Sequence, residues 1–211
     1  GAPAFSYFGD LPRWRVALSM VEIFGLYARL LIAPWPLNPW YDWSVLPPAE
    51  GLADVGVLAG ALVATLWMWA AWVSRRRAPA VTFALIFLPF TLLPVSHVAD
   101  LVVGAGERYL YAASAGPLIA LAWLLLGSER GAPGRRIASV GLVVLALVFT
   151  SLSVVRSLDW RTDRAILEAK VRDWPHSYTA WVDLAGRYEI EGDWERALDL
   201  YERLERPHEA A

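Results

Sequence analysis

Residues 137–155 read IASVGLVVLALVFTSLSVV, a stretch of 19 residues that contains no charged side chain. A helix that crosses a bilayer needs roughly 17–25 mostly apolar residues, so this stretch predicts a transmembrane helix. The composition of the whole chain supports that setting, because 57% of its 211 residues are hydrophobic and only 19% are charged. Soluble domains carry about 25% charged residues. The formal net charge of -2 gives no basic surface for nucleic acid, and we exclude that class of partner.

Four further segments approach the same criterion, at residues 14–33, 52–73, 79–98 and 108–126. The sequence therefore predicts an all-α fold: a polytopic membrane bundle of about five helices over residues 1–156, followed by a short helical tail over residues 157–211. Arginines in short loops favour the cytoplasm, and they alternate consistently between the segments, at Arg13 and Arg15, at Arg75 to Arg77, and at Arg130, Arg135 and Arg136. This pattern predicts that the loops 34–51 and 96–107 and the tail face outward, and that the two ends of the chain lie on opposite sides.

Charged residues and prolines interrupt two of these segments. Glu22 and Arg29 are seven residues apart, so they share one face of a helix. Because isolated charges in a bilayer are costly, we expect both side chains to face the bundle or a watery cavity. Pro89 and Pro94 each remove a backbone donor and should bend the third segment. Such a bend either lines a cavity or is a tolerated kink.

The first outward loop contains PWPLNPWYDW at residues 34–43, with three prolines and four aromatic residues. Two interpretations stay open: an aromatic anchor at headgroup depth, or the lining of a site for a lipid-linked substrate. In the second case Tyr41 and Asp42, with His97 from the next loop, are candidate lining residues. The histidines share no metal-ligand spacing and the chain has no cysteine, so we predict no metal site and no evident cofactor.

Beyond residue 155 the apolar spacing becomes that of amphipathic helices. One set of apolar positions falls at i, i+3, i+4 and i+7 on a first helix and a second set on the next, at Trp181, Leu184, Ala185 and Tyr188, and at Trp194, Ala197, Tyr201 and Leu204. The pair Asp159-Trp160 recurs 34 residues later as Asp193-Trp194. This spacing resembles the tetratricopeptide repeat, a helical hairpin of about 34 residues. Such a short array should lean on the membrane bundle or on residues that follow Ala211, because one repeat cannot bury its own apolar face.

The stretch Glu107-Arg108-Tyr109-Leu110-Tyr111 opens the fourth segment. If a long helix begins here, its N-terminus carries partial positive charge and free backbone donors, so an arginine at this place suits a phosphate. We therefore expect Arg108, with Tyr109 and Tyr111, to contact a lipid phosphate, and Glu107 to cap the helix or to orient Arg108. In the alternative, Arg108 reaches the headgroups and the tyrosines belong to an interfacial belt.

The stretch ERYLY is accompanied by a Leu30-Leu31 helix end before Pro34, Leu37 and Tyr41, and by an exit helix with Arg156 and Trp160. In these features the chain resembles the transmembrane and tetratricopeptide-repeat O-mannosyltransferases and their bacterial relatives. These are membrane glycosyltransferases of the GT-C type. The resemblance implies transfer of a sugar from a polyprenyl-phosphate-linked donor to a protein or glycan acceptor, on the outer face of a bacterial inner membrane, with the tail in the periplasm.

The same resemblance implies that this chain is incomplete as an enzyme. The family places its catalytic carboxylate in an early outer loop that nothing in this chain matches, so we expect a C-terminal portion without its own base. Any divalent cation would depend on the part upstream of Gly1. Two other functions stay open: a non-catalytic membrane-anchored repeat scaffold, and a protein like the O-antigen ligases or polymerases.

Overall fold

The computed structural model describes residues 7–9, 11–97, 105–126 and 132–205. Within these residues the regular structure is helical, which confirms the predicted all-helical class. Two 3-10 helices, Leu93–Val95 and Glu107–Tyr109, accompany the α-helices. The α-helices of the described residues are α1 (Arg13–Ile32), α2 (Val55–Ser74), α3 (Pro79–Leu92), α4 (Leu110–Ala113), α5 (Ala115–Leu126), α6 (Ala132–Asp159), α7 (Asp163–Asp173), α8 (Tyr178–Glu191) and α9 (Trp194–Glu205).

Two helices in the described part of the chain are long and apolar enough to cross a membrane: α2, and the segment Arg136–Asp159 of α6. A third span results if α4 and α5 act together with the preceding 3-10 helix, because this pair meets the criterion despite a bend of 46°. The apolar segment Pro79–Val95 is shorter. The chain therefore has the helices of a membrane protein, but fewer of them meet the criterion than the five expected.

Helix α1 is the clearest departure from that expectation. It covers most of the predicted segment 14–33, yet it is absent from the candidate spans among the described residues. The physical reason is its charge, because Arg15, Glu22 and Arg29 are distributed along its whole length. The Arg15 side chain donates to the carbonyl oxygens of Ala49 at 2.7 Å and Pro48 at 3.3 Å, which lie just before α2.

Helices α1 and α2 pack closely through glycines. A β-carbon on Gly25 would lie 2.8 Å from the α-carbon of Gly60, and one on Gly56 would overlap the Glu22 carboxylate. Small residues allow this approach of two backbones. Glu22 contacts Gly56, and Gly25, which is later in α1, contacts Gly60, which is later in α2. The residue numbers of the contacts increase in both helices, so α1 and α2 run in the same direction where they meet. Two consecutive antiparallel spans would show the reverse order.

The proline-aromatic loop (residues 34–51) contacts both the first described residues and the tail. Its Trp43 indole donates to the Tyr7 carbonyl at 2.6 Å, and the neighbouring Asp42 pairs with Lys170 of the tail at 3.2 Å. Residue 7 and the tail therefore lie on the same face of the bundle, which we call the loop face. The two ends of the chain, predicted on opposite sides, lie outside the described residues, and that expectation stays a prediction. Arg15 binds this loop, whereas Arg75 follows the last residue of α2. A 20-residue α2, about 30 Å long, separates these two arginines.

The two prolines of the third segment lie near the end of its helix, and the bend expected from them stays a prediction. Helix α3 continues past Pro89 and ends at Leu92, and Pro94 lies in the 3-10 helix that follows. Because Pro89 has no N–H, the carbonyl of Leu85 loses its helical donor, and the Trp67 indole of α2 donates to it instead at 2.8 Å. Pro89 also lines an apolar cleft of about 120 Å³ between α1 and α3.

The tail contains three helices, α7 to α9, and the two predicted sets of apolar positions fall on α8 and α9. Gly192 ends α8 with a left-handed φ of 79°, a conformation that glycine adopts without strain. The predicted packing residues lie in one apolar cluster or against it, at Trp181, Leu184, Ala185, Tyr188, Ala197 and Tyr201. Trp194 departs from the predicted apolar face, because 64% of it is exposed.

Candidate functional site

The candidate phosphate site is a short turn at residues 105–109, which we call the Arg108 turn. Its backbone is held from two directions. The Tyr41 N–H donates to the carbonyl of Ala105 at 3.0 Å, and the Gly106 N–H donates to the Tyr27 hydroxyl at 3.3 Å. The proline-aromatic loop and α1 therefore both fix the turn that carries Arg108.

Arg108 is exposed, and its guanidinium lies beside the neighbouring tyrosine. Its Nη2 donates to the Tyr109 hydroxyl at 3.3 Å, and its Cζ lies 5.1 Å from the centre of that ring. Among the described residues no carboxylate pairs with Arg108. Tyr111 is 82% exposed on the next turn of the chain.

The helix that follows does not supply the expected dipole. Helix α4 has only four residues and is set off from α5 by the 46° bend, so no long helix begins at Arg108. Macrodipole effects require aligned peptides over a helix and act within its first turn. The argument for an anion at this place therefore rests on the guanidinium and its exposure.

Glu107 has a different partner from the one predicted. Its Oε1 accepts a hydrogen bond from Arg156 Nη2 at 3.0 Å, and its side chain makes no cap at the start of the 3-10 helix. Arg156, near the end of α6, also pairs with Asp159 at 3.0 Å and Asp173 at 3.6 Å. The prediction that Glu107 caps a helix or orients Arg108 is wrong. Its carboxylate instead pairs with Arg156, which is 49 residues away in the sequence.

Three other predicted residues lie apart from the Arg108 turn. Glu22 is half-buried against α2, as expected of a charge that faces the bundle. Arg29 is exposed at the last turn of α1, where its Nη1 donates to the Trp35 carbonyl at 2.8 Å, so of the two expected surroundings it is not in the packed interior of the bundle. His97 is buried against the rings of Tyr7 and Phe8.

Tyr41 and Asp42, two adjacent predicted residues, have different surroundings. The Tyr41 ring lies edge-on to Trp174 of the tail, with the ring centres 6.1 Å apart. Tyr41 is buried in the core near the Arg108 turn, where burial and then the nearby Glu107 raise the pKa of its hydroxyl. Asp42 faces the tail and accepts hydrogen bonds from Ser44 and Thr179. Asp42 is thus part of a junction with the tail.

Lys170 of α7 is the centre of this junction and was not predicted. Its Nζ lies 3.2 Å from Asp42 Oδ2, 3.0 Å from Asp183 Oδ2 and 4.6 Å from the centre of the Trp40 ring, and its side chain is fully buried. The available signal was composition, because Lys170 is the single lysine of the sequence. A buried ammonium needs paired carboxylates, and the sequence alone does not say which of its acidic residues supply them.

The described residues contain no group of three histidine, aspartate or glutamate side chains that could hold a metal ion. Comparison of the chain with known protein families, curated proteins and solved structures finds no match.

Proposed function

We propose that this chain is the C-terminal portion of a membrane glycosyltransferase of the GT-C type, and that Arg108 binds the phosphate of a polyprenyl-linked sugar donor. The single observation that carries the proposal is the exposed guanidinium of Arg108, which no described carboxylate neutralises. The planar donor fork of arginine matches two phosphate oxygens, which the point charge of lysine does not. The sequence resemblance in residues 107–111 supplies the reaction class.

The arrangement of acidic residues agrees with a portion that binds the donor without completing transfer. Asp42 is engaged by Lys170 and Thr179, and Glu107 is engaged by Arg156, so neither carboxylate is available as a base. In this proposal the base comes from the part of the protein upstream of Gly1. In the same proposal the loop face lies on the extracytoplasmic side of a bacterial inner membrane. The helices α2, α3, the α4–α5 pair and α6 cross that membrane.

The tail is the proposed acceptor-binding or partner-binding part, of the tetratricopeptide type. Its exposed apolar side chains support such a surface, because Trp194 and Leu198 are i and i+4 on α9 and are 64% and 59% exposed. The same observation favours the second candidate function, a membrane-anchored scaffold. The two functions differ in whether Arg108 binds a lipid phosphate.

The test is binding of farnesyl phosphate to the protein in detergent micelles, with farnesol as the uncharged reference. Arg108→Ala should weaken farnesyl phosphate binding at least about tenfold, or ~1.4 kcal/mol, and Arg108→Lys should recover only part of it. The matched control is Arg75→Ala, which removes an arginine that stacks on Trp72 at 3.4 Å beyond the far end of α2. Equal affinity in wild type and both Arg108 variants would favour the scaffold.

A further inference from the structure

Helix α7 presents two buried charges toward the membrane bundle. Lys170 and Asp173 are three residues apart, so they lie on one face of the helix. Their side chains are 0% and 2% exposed, respectively. Buried charges are costly unless they are paired. Each has its shortest ion pair within the tail, Lys170 with Asp183 at 3.0 Å and Asp173 with Arg172 at 2.9 Å. The partners outside the tail, Asp42 and Arg156, show where α7 is held.

The first series of contacts runs from Lys170 through the proline-aromatic loop. Lys170 pairs with Asp42, and the adjacent Tyr41 donates its N–H to Ala105 in the Arg108 turn. Tyr41 is almost fully buried and packs edge-on against Trp174, so a shift of the adjacent Asp42 acts on the backbone bond between Tyr41 and Ala105.

The second series of contacts runs from Asp173 through the end of α6. Asp173 lies 3.6 Å from Arg156 Nη1, and Arg156 Nη2 donates to Glu107 at 3.0 Å. Glu107 directly precedes Arg108 in the turn. The two series of contacts therefore leave α7 from neighbouring positions and end on either side of Gly106.

We propose that α7 positions the Arg108 turn through these two contacts, Lys170 with Asp42 and Asp173 with Arg156, so that attachment of the tail sets the affinity of the loop face for a lipid phosphate. This inference rests on the proposed function of Arg108. Lys170 and Asp173 are positioning residues, since neither touches the anion. A partner that displaced the tail would thereby weaken donor binding without contacting the donor.

The experiment compares Asp173→Asn with Asp163→Asn in the whole protein. Both residues are on α7, but Asp163 is 78% exposed and pairs with Arg187, away from the turn. Two quantities are measured: the affinity for farnesyl phosphate, and the hydrogen-exchange rate of backbone amides at residues 106–114. Asp173→Asn should weaken binding about fivefold and speed exchange, Asp163→Asn should change neither, and Asp173→Glu should restore part of both.

A double-mutant cycle separates positioning from general stability. If Asp173 acts through Arg108, the Asp173→Asn change has no further effect on affinity once Arg108 is alanine. Lys170→Met, which breaks the first series of contacts, should also speed exchange at the turn. Unchanged exchange in both variants would overturn the inference whatever Arg108 binds. If Arg108→Ala alone leaves binding intact while exchange still responds, the proposed function fails and the physical coupling stands.

Discussion

Lys170 illustrates how one residue can determine the placement of a whole segment. A compact ammonium fits between Asp42, Asp183 and the Trp40 ring, where the broader guanidinium of arginine would need more space. The remaining basic residues of the chain are arginines. Removing one partner of such a buried pair leaves an uncompensated charge and costs about 3–5 kcal/mol.

Asp42 makes the junction sensitive to acid. Burial alone would raise its pKa, but hydrogen bonds from Ser44 and Thr179 and the charge of Lys170 outweigh burial and hold the pKa below its ordinary value of 3.8. A carboxyl whose pKa is lower in the folded state adds stability above its unfolded pKa, and that stability is lost as the pH falls through the folded value.

We therefore expect the difference in melting temperature between wild type and Asp42→Asn to stay constant from neutral pH down to about pH 5 and to shrink below about pH 4. Glu50→Gln, which removes an exposed carboxyl from the same loop, is the control. The measurement is thermal unfolding in detergent at each pH. A difference that already disappeared near pH 6 would contradict the assigned cause.

At the scale of elements, the contact of α1 with α2 depends on the absence of side chains at three glycines, Gly25, Gly56 and Gly60. A β-carbon on Gly60 would overlap the backbone carbonyl of Val21, which cannot move without shifting α1. By contrast, a β-carbon on Gly141 in α6 would meet no atom within 4 Å. The two positions therefore form a matched pair for the same substitution.

Gly60→Ala should lower the free energy of unfolding by about 1–3 kcal/mol, the usual cost of overpacking. Gly141→Ala should be neutral or stabilise by up to ~1 kcal/mol, because alanine favours a helix over glycine. Denaturation of both variants in detergent tests this. Equal stability of the two variants would mean that α1 and α2 do not pack as closely as the structure has them.

At the scale of the whole molecule, the proline-aromatic loop joins the beginning of the described chain to the tail. Trp43 binds Tyr7 and Asp42 binds Lys170, so both contacts lie on one side of the bundle. An even number of crossings between α1 and the tail would satisfy this arrangement; in the function proposed above these crossings are α2, α3, the α4–α5 pair and α6. The tail contacts the proline-aromatic loop through Lys170 with Asp42 and Trp174 with Leu37. That the tail depends on such contacts to fold stays a prediction.

Single cysteines can test this topology, since the natural sequence has none. Arg13→Cys and Arg161→Cys should react with an impermeant maleimide from the same side of sealed vesicles, and Arg76→Cys only from the other. The structural reason is that residue 13 begins α1 beside the loop face, whereas residue 76 follows the far end of α2. Arg13 reacting together with Arg76 would instead restore the five-crossing arrangement.

The sequence by itself determined the properties that depend on neighbouring residues. The charge-free run of residues 137–155 gave a long apolar helix, the 3.6-residue spacing gave α8 and α9, and Gly192 ended α8. It also identified Arg108 as an exposed basic residue worth testing. These features follow from hydropathy, periodicity and backbone freedom, which act over a few residues and do not require knowledge of the fold.

Only the tertiary structure decided which charges meet. Glu107 pairs with Arg156 across 49 residues, and Lys170 pairs with Asp42 across 128. It likewise decided that α1 lies parallel to α2, with Arg15 bound to carbonyls of the proline-aromatic loop. The sequence predicted α1 as a membrane span from its own residues alone. The free-energy cost of its charges depends on their partners, and these partners come from segments that are remote in sequence.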